Sequence, residues 1–417
     1  MFMYIGNNER LFPDLTMVPL SRHLKDSPAL RLILLLGIVS LFGDIIYEGS
    51  RSITGPYLLY LGASAFTVAF IAGFGEFIGY AARLVSGYFA DRTRSYWMFT
   101  IIGYLMIGAI PLLVFARVWE VAAVLIIIER LGKGIRSPAK DTILSHATYR
   151  VGRGWGFGIH EALDQIGAVL GPLVFALSIA FFGGYGTGFA LLALPFFLLI
   201  VTIVLAYQST PDPVSLEEPA GPTGRSASTG PLSWFMLPYG TFTMLAMAGF
   251  CVFPLMAYHF TAASIVPEVQ VPLFYAIAMA ADALFALIIG RLYDRHGIGV
   301  LVVVPLANIP VVLLAFSGGY FSALLACVLW GVSMGAQETV LRAGLADLTP
   351  VIKRGTAYGI FNTLYGGAWF AGSLVLGRLY ETDLSALIGY SILTQLAALL
   401  AFLWLRQSAG RLVQAKR

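Results

Sequence analysis

Acidic and basic residues recur at helical spacing inside the most apolar stretches of this chain. Asp44, Glu48 and Arg51 succeed one another at one-turn intervals, so they share one face of a helix. Glu76 and Arg130 lie in two further apolar stretches. An apolar surrounding favours the neutral carboxylic acid, whereas a nearby arginine favours the carboxylate. A carboxylate whose arginine partner moves away can therefore take up and release a proton.

Charges at mid-bilayer cost about 2.5–3.5 kcal/mol each on insertion scales, so they usually face a cavity, form pairs and serve a function. We predict that one set binds protons, with Glu48 or Glu76 as the proton carrier and Arg130 as the partner that sets its affinity. The predicted set is Asp44, Glu48, Glu76, Arg130, Glu161 and Asp164. The alternative interpretation is a group of structural ion pairs that hold the helices together.

Other charges in apolar stretches are interpreted differently. Long basic side chains near helix ends can reach the membrane interface, which is the interpretation favoured for Arg83, Arg136, Lys140 and Arg342. The second half of the chain holds few further charges inside apolar stretches, namely Asp282 and Glu338. This asymmetry favours proton coupling in the first half and recognition of substrate shape in the second.

The composition determines which kind of element must position these residues. Of the 417 residues, 58% are hydrophobic and 12% are charged. A soluble domain carries about 25% charged residues, and disorder requires low hydrophobicity. Both classes are therefore excluded, and the composition predicts an all-α membrane protein, because only helices or closed barrels satisfy their backbone groups in lipid.

Twelve apolar stretches are long enough to span a bilayer, which requires about 20 residues. They cover residues 30–60, 65–90, 96–116, 119–143, 153–181, 186–207, 234–260, 271–292, 298–316, 320–345, 355–379 and 385–405. We number them spans 1 to 12.

A Pro-, Gly- and Ser-rich segment divides the spans six and six. We predict an N-terminal tail, a six-helix bundle, a flexible linker, a second six-helix bundle and a C-terminal tail, over residues 1–29, 30–207, 208–233, 234–405 and 406–417. Most basic residues outside the spans fall on the side of the two tails, for example Arg92, Arg150 and Arg295. The positive-inside rule therefore predicts cytoplasmic termini in an inner or plasma membrane.

The two halves repeat. Gly87-Tyr-Phe-Ala-Asp91-Arg92 recurs as Gly290-Arg-Leu-Tyr-Asp294-Arg295, and Arg153-Gly-Trp-Gly-Phe-Gly158-Ile recurs as Arg354-Gly-Thr-Ala-Tyr-Gly359-Ile at nearly the same offset. Two pseudo-symmetric six-helix bundles with a substrate site between them are typical of secondary transporters, which work by alternating access.

On these motifs the chain resembles the major facilitator superfamily over about residues 30–405. The loop after span 2 is similar to the Gly-x-x-x-Asp-Arg signature of the family, with Arg94 at its usual second glycine, and Gly297 keeps that glycine in the second copy. Span 4 is similar to the Arg-x-x-Gln-Gly motif at Arg130 and Gly134, with Lys133 replacing Gln. The resemblance implies a gate at the two signature loops, formed by Gly87, Asp91, Arg92, Gly290, Asp294 and Arg295. Simple anchoring of a short loop is the alternative.

Span 5 is similar to the antiporter motif Gly-x8-Gly-x3-Gly-Pro. The matching residues are Gly158, Gly167, Gly171 and Pro172, and the closing Gly-Gly of the motif is absent. The resemblance implies a drug/proton antiporter. Ordinary close packing of helices through small residues is the alternative.

Substrate contacts are predicted between the halves. The candidates are Tyr47, Arg51, Phe74, Lys133, Tyr275, Phe361, Asn362, Tyr365 and Trp369. The leading hypothesis is a monomeric transporter that couples efflux of a small molecule to protons. The alternatives are proton-coupled uptake of a small anionic metabolite, favoured by the span 4 cations, and a non-transporting receptor or scaffold.

Several other functions have no sequence support. There is no nucleotide-binding Gly-rich loop or catalytic motif, so neither an enzyme nor a cofactor is predicted. The basic residues are dispersed, which excludes nucleic acid as a partner. Cys251 and Cys327 lie inside apolar stretches and have no metal-ligand spacing, and the methionines of span 7 share no clean face, so no metal site is predicted.

Overall fold

The computed structural model describes residues 27–216, 233–341, 343–345 and 354–415, and these ranges are helical, with no strand among them. The fold is all-α, as predicted, and its helices form two pseudo-symmetric bundles of six. Arg342, most of the predicted linker and nearly all of the N-terminal tail lie outside the described residues.

The first bundle contains spans 1 to 6. They comprise Pro28–Tyr60, Ala65–Thr93, Tyr96–Phe115, Trp119–Val151, Arg153–Phe182 and Tyr185–Ser209. Span 3 tightens after Met106 into 3₁₀ turns at Ile107–Ala109 and Pro111–Phe115. Span 6 is built from Tyr185–Leu191 and Ala193–Ser209.

The second bundle contains spans 7 to 12. Span 7 consists of Ser233–Ala248 and Phe253–Ala262, span 8 of Val271–His296, and span 9 of Val303–Ala315 after a 3₁₀ turn. Span 10 continues from Tyr320–Ala336 into a π-helical turn at Gln337–Leu341. Spans 11 and 12 are Arg354–Thr382 and Leu384–Ala415.

Hydropathy accounts for most of these spans. Nine segments of the described residues are long and apolar enough to cross a membrane, and one of them, Glu268–Ala315, contains spans 8 and 9 in succession. Spans 4 and 11 have 33 and 29 residues, which exceeds the length that a bilayer requires. Span 4 carries the most charged residues of the described spans, because several side chains that face the space between the two bundles belong to it.

Close backbone contacts reproduce the internal repeat. A Cβ at Gly134 on span 4 would lie 2.5 Å from the carbonyl oxygen of Gly79 on span 2. A Cβ at Gly335 on span 10 would lie 2.7 Å from the carbonyl oxygen of Asp282 on span 8. The same crossing is therefore made in both bundles, although Asp282 stands where the first bundle has Gly79.

The two signature loops have different residues at one backbone position. Arg94 ends span 2 with φ of 53°, and Gly297 ends span 8 with φ of 59°. Both residues therefore have positive φ, which suits glycine and costs about 1–2 kcal/mol for other residues. This conformation explains why the family signature has glycine here. Arg94 adopts the same sign of φ at a cost in conformational free energy.

The glycines of the span 5 motif do not share one role. A Cβ at Gly167 would lie 2.4 Å from the carbonyl oxygen of Leu41, and one at Gly171 would lie 2.5 Å from that of Ile45. These two glycines therefore let span 5 pack directly on span 1. Gly158 has open space around it, and Pro172 lies inside a helix that continues to Phe182.

We expect Gly171→Ala to destabilise the protein by about 1–3 kcal/mol, because the new methyl group meets backbone that has no room to move. Thermal unfolding of the purified protein in detergent measures the effect. The matched control is Gly158→Ala, in the same motif, which should leave the melting temperature unchanged or slightly raised. Equal effects of both substitutions would contradict the packing role.

Candidate functional site

A cavity of about 340 Å³ lies between the two bundles. It extends from Arg51 and Trp369, deep within the spans, to Asp141 and Phe157, near the ends of spans 4 and 5 on the side of the chain termini. Most of the side chains that line it are charged or aromatic. The charged ones are Arg51, Glu76, Arg83, Lys133, Lys140, Asp141, Glu161, Asp164 and Glu338.

The bundles contact each other on the opposite side. A Cβ at Gly55 on span 1 would lie 2.0 Å from the carbonyl oxygen of Pro254 on span 7. The backbone N–H of Phe66 donates to Glu381 at 2.9 Å, and the hydroxyl of Tyr185 donates to Glu268. The cavity is therefore reached from the side of the termini and closed on the other.

A charged cluster forms the inner end of the cavity. Oε1 of Glu76 lies 3.2 Å from Nη2 of Arg51 and 3.3 Å from Nη1 of Arg130. Both arginines also donate to the hydroxyl of Tyr47, and the bond from Arg51 is 3.1 Å long. Arg130 fits because a Cβ at Gly75 would lie only 2.9 Å from its Cγ. Spans 1, 2 and 4 thus meet through one carboxylate, two guanidinium groups and one phenol.

This cluster extends into the second bundle. The hydroxyl of Tyr275 on span 8 donates to Oε2 of Glu48 on span 1. The guanidinium of Arg51 lies 6.0 Å from the ring centroid of Trp330 on span 10, within reach of a cation–π attraction. Movement of one bundle against the other therefore acts directly on the residues around Glu48 and Arg51.

Two carboxyl groups approach each other where spans 1 and 5 pack together. A Cβ at Gly167 on span 5 would lie 3.0 Å from the Cβ of Asp44 on span 1, and Asp164 is one turn before Gly167. Two close carboxylates cannot both be ionised, so this arrangement favours a proton on one of them. Asp164 lines the cavity together with Lys133, Lys140 and His160.

A hydrogen-bonded chain lies beside this pair. Oγ of Ser40 is 3.0 Å from Nε2 of His160 and 3.2 Å from the hydroxyl of Tyr104, and Nζ of Lys140 donates to it at 3.4 Å. Lys140 lines the cavity. The sequence-based expectation that its side chain reaches the membrane interface is therefore wrong. Arg136 is buried as well, with its guanidinium 4.8 Å from the ring centroid of Tyr104.

The predicted substrate residues fall into three groups. Tyr47, Arg51, Lys133 and Trp369 line the cavity. Phe361, Asn362 and Tyr365 line a small adjoining recess that they share with Tyr80 and Glu338. Two of the predicted residues lie elsewhere.

Phe74 and Tyr275 are not part of the cavity wall. Phe74 packs between spans 2 and 11, with ring centroids 5.6 Å from both Phe70 and Phe370. Tyr275 is fully buried against Phe253, with its hydroxyl on Glu48. Both are structural neighbours of the site, and their distance from the cavity follows from the rotation of their helices.

The charged residues of the predicted gate are exposed at the side of the termini, and its two glycines are half-buried. Arg92 donates to the hydroxyl of Tyr88 at 2.9 Å, and the ion pairs between described residues include neither Asp91, Arg92, Asp294 nor Arg295. Gly87 faces Pro138 and Gly290 faces Thr339 at equivalent crossings. The two loops are equivalent in structure, and the latch between them stays a prediction.

Sequence reasoning missed six wall residues, which are Tyr80, Ser137, Asp141, Leu144, Phe157 and Met334. It also placed Arg83 at the interface, whereas Arg83 lines the cavity with its guanidinium 4.9 Å from the ring centroid of Tyr80. Arg83 carried a signal, because it lies two turns after Glu76 on the same helix. The aromatic residues carried none, since aromatic residues are frequent in all spans.

The family model of the Major Facilitator Superfamily matches residues 18–373. The chain belongs to the Major Facilitator Superfamily. The matched range includes every residue of the cavity and of the charged cluster. Membership makes the protein a multi-pass membrane transporter, as the sequence motifs implied.

Curated relatives match most of the chain. An uncharacterized protein of Mycobacterium tuberculosis strain H37Rv is 40% identical over 399 residues, which is 93% of this chain and 97% of that one. An uncharacterized transporter of the superfamily type from Methanocaldococcus jannaschii is 27% identical over 356 residues, which is 83% of this chain and 88% of the relative.

Solved transporters share the fold at low sequence identity. A mutant of the nucleoside transporter NupG gives a TM-score of 0.72 at 17% identity, covering 89% of this chain and 100% of that one. A POT family transporter in complex with 5-aminolevulinic acid gives 0.74 at 13% identity, covering 91% and 96%.

We expect Glu76→Gln to destabilise the protein by about 3–5 kcal/mol, because it leaves Arg51 and Arg130 buried without the carboxylate they share. Thermal unfolding in detergent measures the loss. The matched control is Asp141→Asn, whose carboxylate is exposed and lies 3.8 Å from Lys140, so a change below about 1 kcal/mol is expected. A melting temperature unchanged by Glu76→Gln would show that the cluster does not hold spans 1, 2 and 4 together.

Proposed function

We propose that this protein is a proton-coupled antiporter that exports a small polar molecule in exchange for protons. The observation that carries the proposal is the approach of Asp44 on span 1 to span 5, one turn from Asp164, which lines the cavity. Two close carboxyl groups hold a proton between them, so this pair holds a proton where substrate has access. Substrate binding and protonation therefore act on the same group, which is what exchange requires.

The competition has a direct physical basis. A substrate that carries a cationic or hydrogen-bond donating group can approach Asp164 only if the carboxyl pair gives up its shared proton, because that proton neutralises the acceptor. Conversely, a proton that enters from the other side of the membrane displaces the substrate. Lys133 and Lys140 line the same cavity, so positive charge lies close to Asp164 when its proton leaves.

The charged cluster links this exchange to the movement of the bundles. Opening the closed side requires the contacts between spans 1 and 7 and between spans 1 and 8 to separate, including the bond from Tyr275 to Glu48. Glu48 then loses its donor from the second bundle. Glu76 keeps both arginines as long as spans 1, 2 and 4 move together. Of the two predicted carriers, Glu48 is therefore the one that the rocking motion changes.

Uptake of an anionic metabolite is less well supported. Arg130, which belongs to the span 4 cations, is already engaged by Glu76 at 3.3 Å and by Glu129 at 3.6 Å. Lys140 lies 3.8 Å from Asp141. A purely anionic substrate would have to compete with these carboxylates.

Proton coupling can be measured in liposomes that contain the purified protein and an enclosed pH-sensitive dye. We expect at least one member of a panel of small amines, dipeptides and nucleosides to change the internal pH as it crosses the membrane. Asp164→Asn and Asp44→Asn should each abolish this change, because a carboxyl paired with an amide no longer exchanges the shared proton. Both should retain exchange of labelled substrate down its gradient.

The control variant is Asp141→Asn, which changes a carboxylate at the outer part of the same cavity. It should keep the pH response within about twofold of the original protein, since exposed charges are well screened. Transport without any pH response in the unaltered protein would overturn the antiport proposal. A full response in Asp164→Asn would overturn the role of the carboxyl pair.

We further propose that both termini and the cavity mouth face the cytoplasm of the cell or inner membrane. The basic residues concentrate on that side, as the positive-inside rule requires. We expect a reporter that is fluorescent only in the cytoplasm to be active when fused after Arg417, and a reporter active only outside to be silent there. The opposite pattern would invert the direction of transport.

A further inference from the structure

The charges that line the cavity are separated by sign. Four cationic and five carboxyl side chains line it within the described part of the chain. Arg51 with Glu76 and Lys140 with Asp141 already neutralise each other, which leaves charges of both signs without an ionic partner.

The remaining cations lie on spans 2 and 4. Lys133 and Arg83 form no ion pair with a described residue. Nζ of Lys133 lies 3.6 Å from the ring centroid of Tyr47, and Cζ of Arg83 lies 4.9 Å from that of Tyr80. The indole Nε1 of Trp369, a residue that is 1% exposed, has no hydrogen-bond partner among the described residues although Trp369 lines the cavity. These groups present unused donors and positive charge.

The remaining acids lie on spans 5 and 10. Glu161 and Glu338 line the cavity from opposite bundles, and Asp164, one turn after Glu161 on span 5, lines it as well. The ion pairs between described residues include none of the three. Acids that face a cavity inside the spans without an ionic partner favour a cationic group of the ligand between them.

We infer that the cavity takes a small zwitterion, with its anionic group at Lys133, Arg83 and Trp369 and its ammonium group at Glu161, Asp164 and Glu338. The cavity volume of about 340 Å³ lies at the low end for small-molecule sites. A singly charged molecule would pair with one of these groups and leave the other without a partner, whereas a zwitterion satisfies both ends. Each end also includes residues of both bundles, so the ligand joins the two halves. This inference rests on the proposed transport function and specifies its substrate class.

Binding to the purified full-length protein in detergent tests the inference. The probes are dialanine, γ-aminobutyrate and ε-aminocaproate, and the matched singly charged probes are n-butylamine and butyrate. We expect at least one zwitterion to raise the melting temperature and to give heat of binding, and the singly charged probes to bind at least about tenfold more weakly. Equal binding of a singly charged probe, or no binding by any zwitterion, would overturn the inference.

Two substitutions test which residues bind the anionic and the ammonium group of the zwitterion. Trp369→Phe keeps the ring and removes the donor, and Glu338→Gln removes one charge; each should weaken zwitterion binding about tenfold, since a hydrogen bond to a charged group contributes at that level. The control variant Glu120→Gln, in the first turn of span 4 and outside the cavity wall, should leave it unchanged. If Glu338→Gln fails to fold, Trp369→Phe decides alone. Unchanged affinity in the folded variants would overturn the assignment.

Failure of the zwitterion inference can be distinguished from failure of the proposed antiport. A zwitterion that binds and crosses the membrane without moving protons would refute antiport and leave the substrate class intact. A compound of another class that moves with a pH response, while the zwitterions do not bind, would refute the substrate class and leave antiport intact.

Discussion

The structure depends on one constraint, which is that charges inside a bilayer must be compensated by other groups of the protein. Around Tyr47 this is achieved by Glu76 between Arg51 and Arg130. Removing any one member leaves another buried charge without compensation, so the cluster fixes the relative positions of three helices. The cost of burying these charges is offset only while the first bundle moves as a unit. Movement during transport is thereby directed to the contacts between the bundles.

The internal repeat gives the two bundles the same helix crossings but different polar side chains. Arg130 packs beside Gly75 in the first bundle, and at the corresponding crossing Gly331 packs on the carbonyl of Ala278. Where the first bundle is charged, the second contains a neutral hydrogen-bonded chain, which runs from Tyr365 through Gln337, Ser333 and Asn308 to Gln395. Neutral networks of this kind rigidify a core when they are fully satisfied. The second bundle thus offers a stiff surface against which the charged bundle works.

The two bundles contact each other through backbone on the closed side of the cavity and through side chains deeper in the protein. On the closed side, the glycine of span 1 allows direct contact of backbone with span 7. Deeper in the protein, the bundles meet through side chains such as Tyr275 on Glu48 and Phe370 among the phenylalanines of span 2. Aromatic rings can slide over one another at little cost, whereas a hydrogen bond to a buried carboxylate is either made or broken. The hydrogen bond from Tyr275 to Glu48 is therefore suited to distinguish two arrangements of the bundles.

The sequence by itself determined the twelve helices, their division into two halves and the presence of acids and cations within the spans. These follow from local composition and from a repeat that can be read along the chain. The tertiary structure alone decided which charges meet: Glu76 bridges arginines of two other helices, Lys140 turns into the cavity, and Phe74 turns away from it. The reason is that the rotation of a helix about its axis is set by the neighbours it packs against, and those neighbours are distant in sequence.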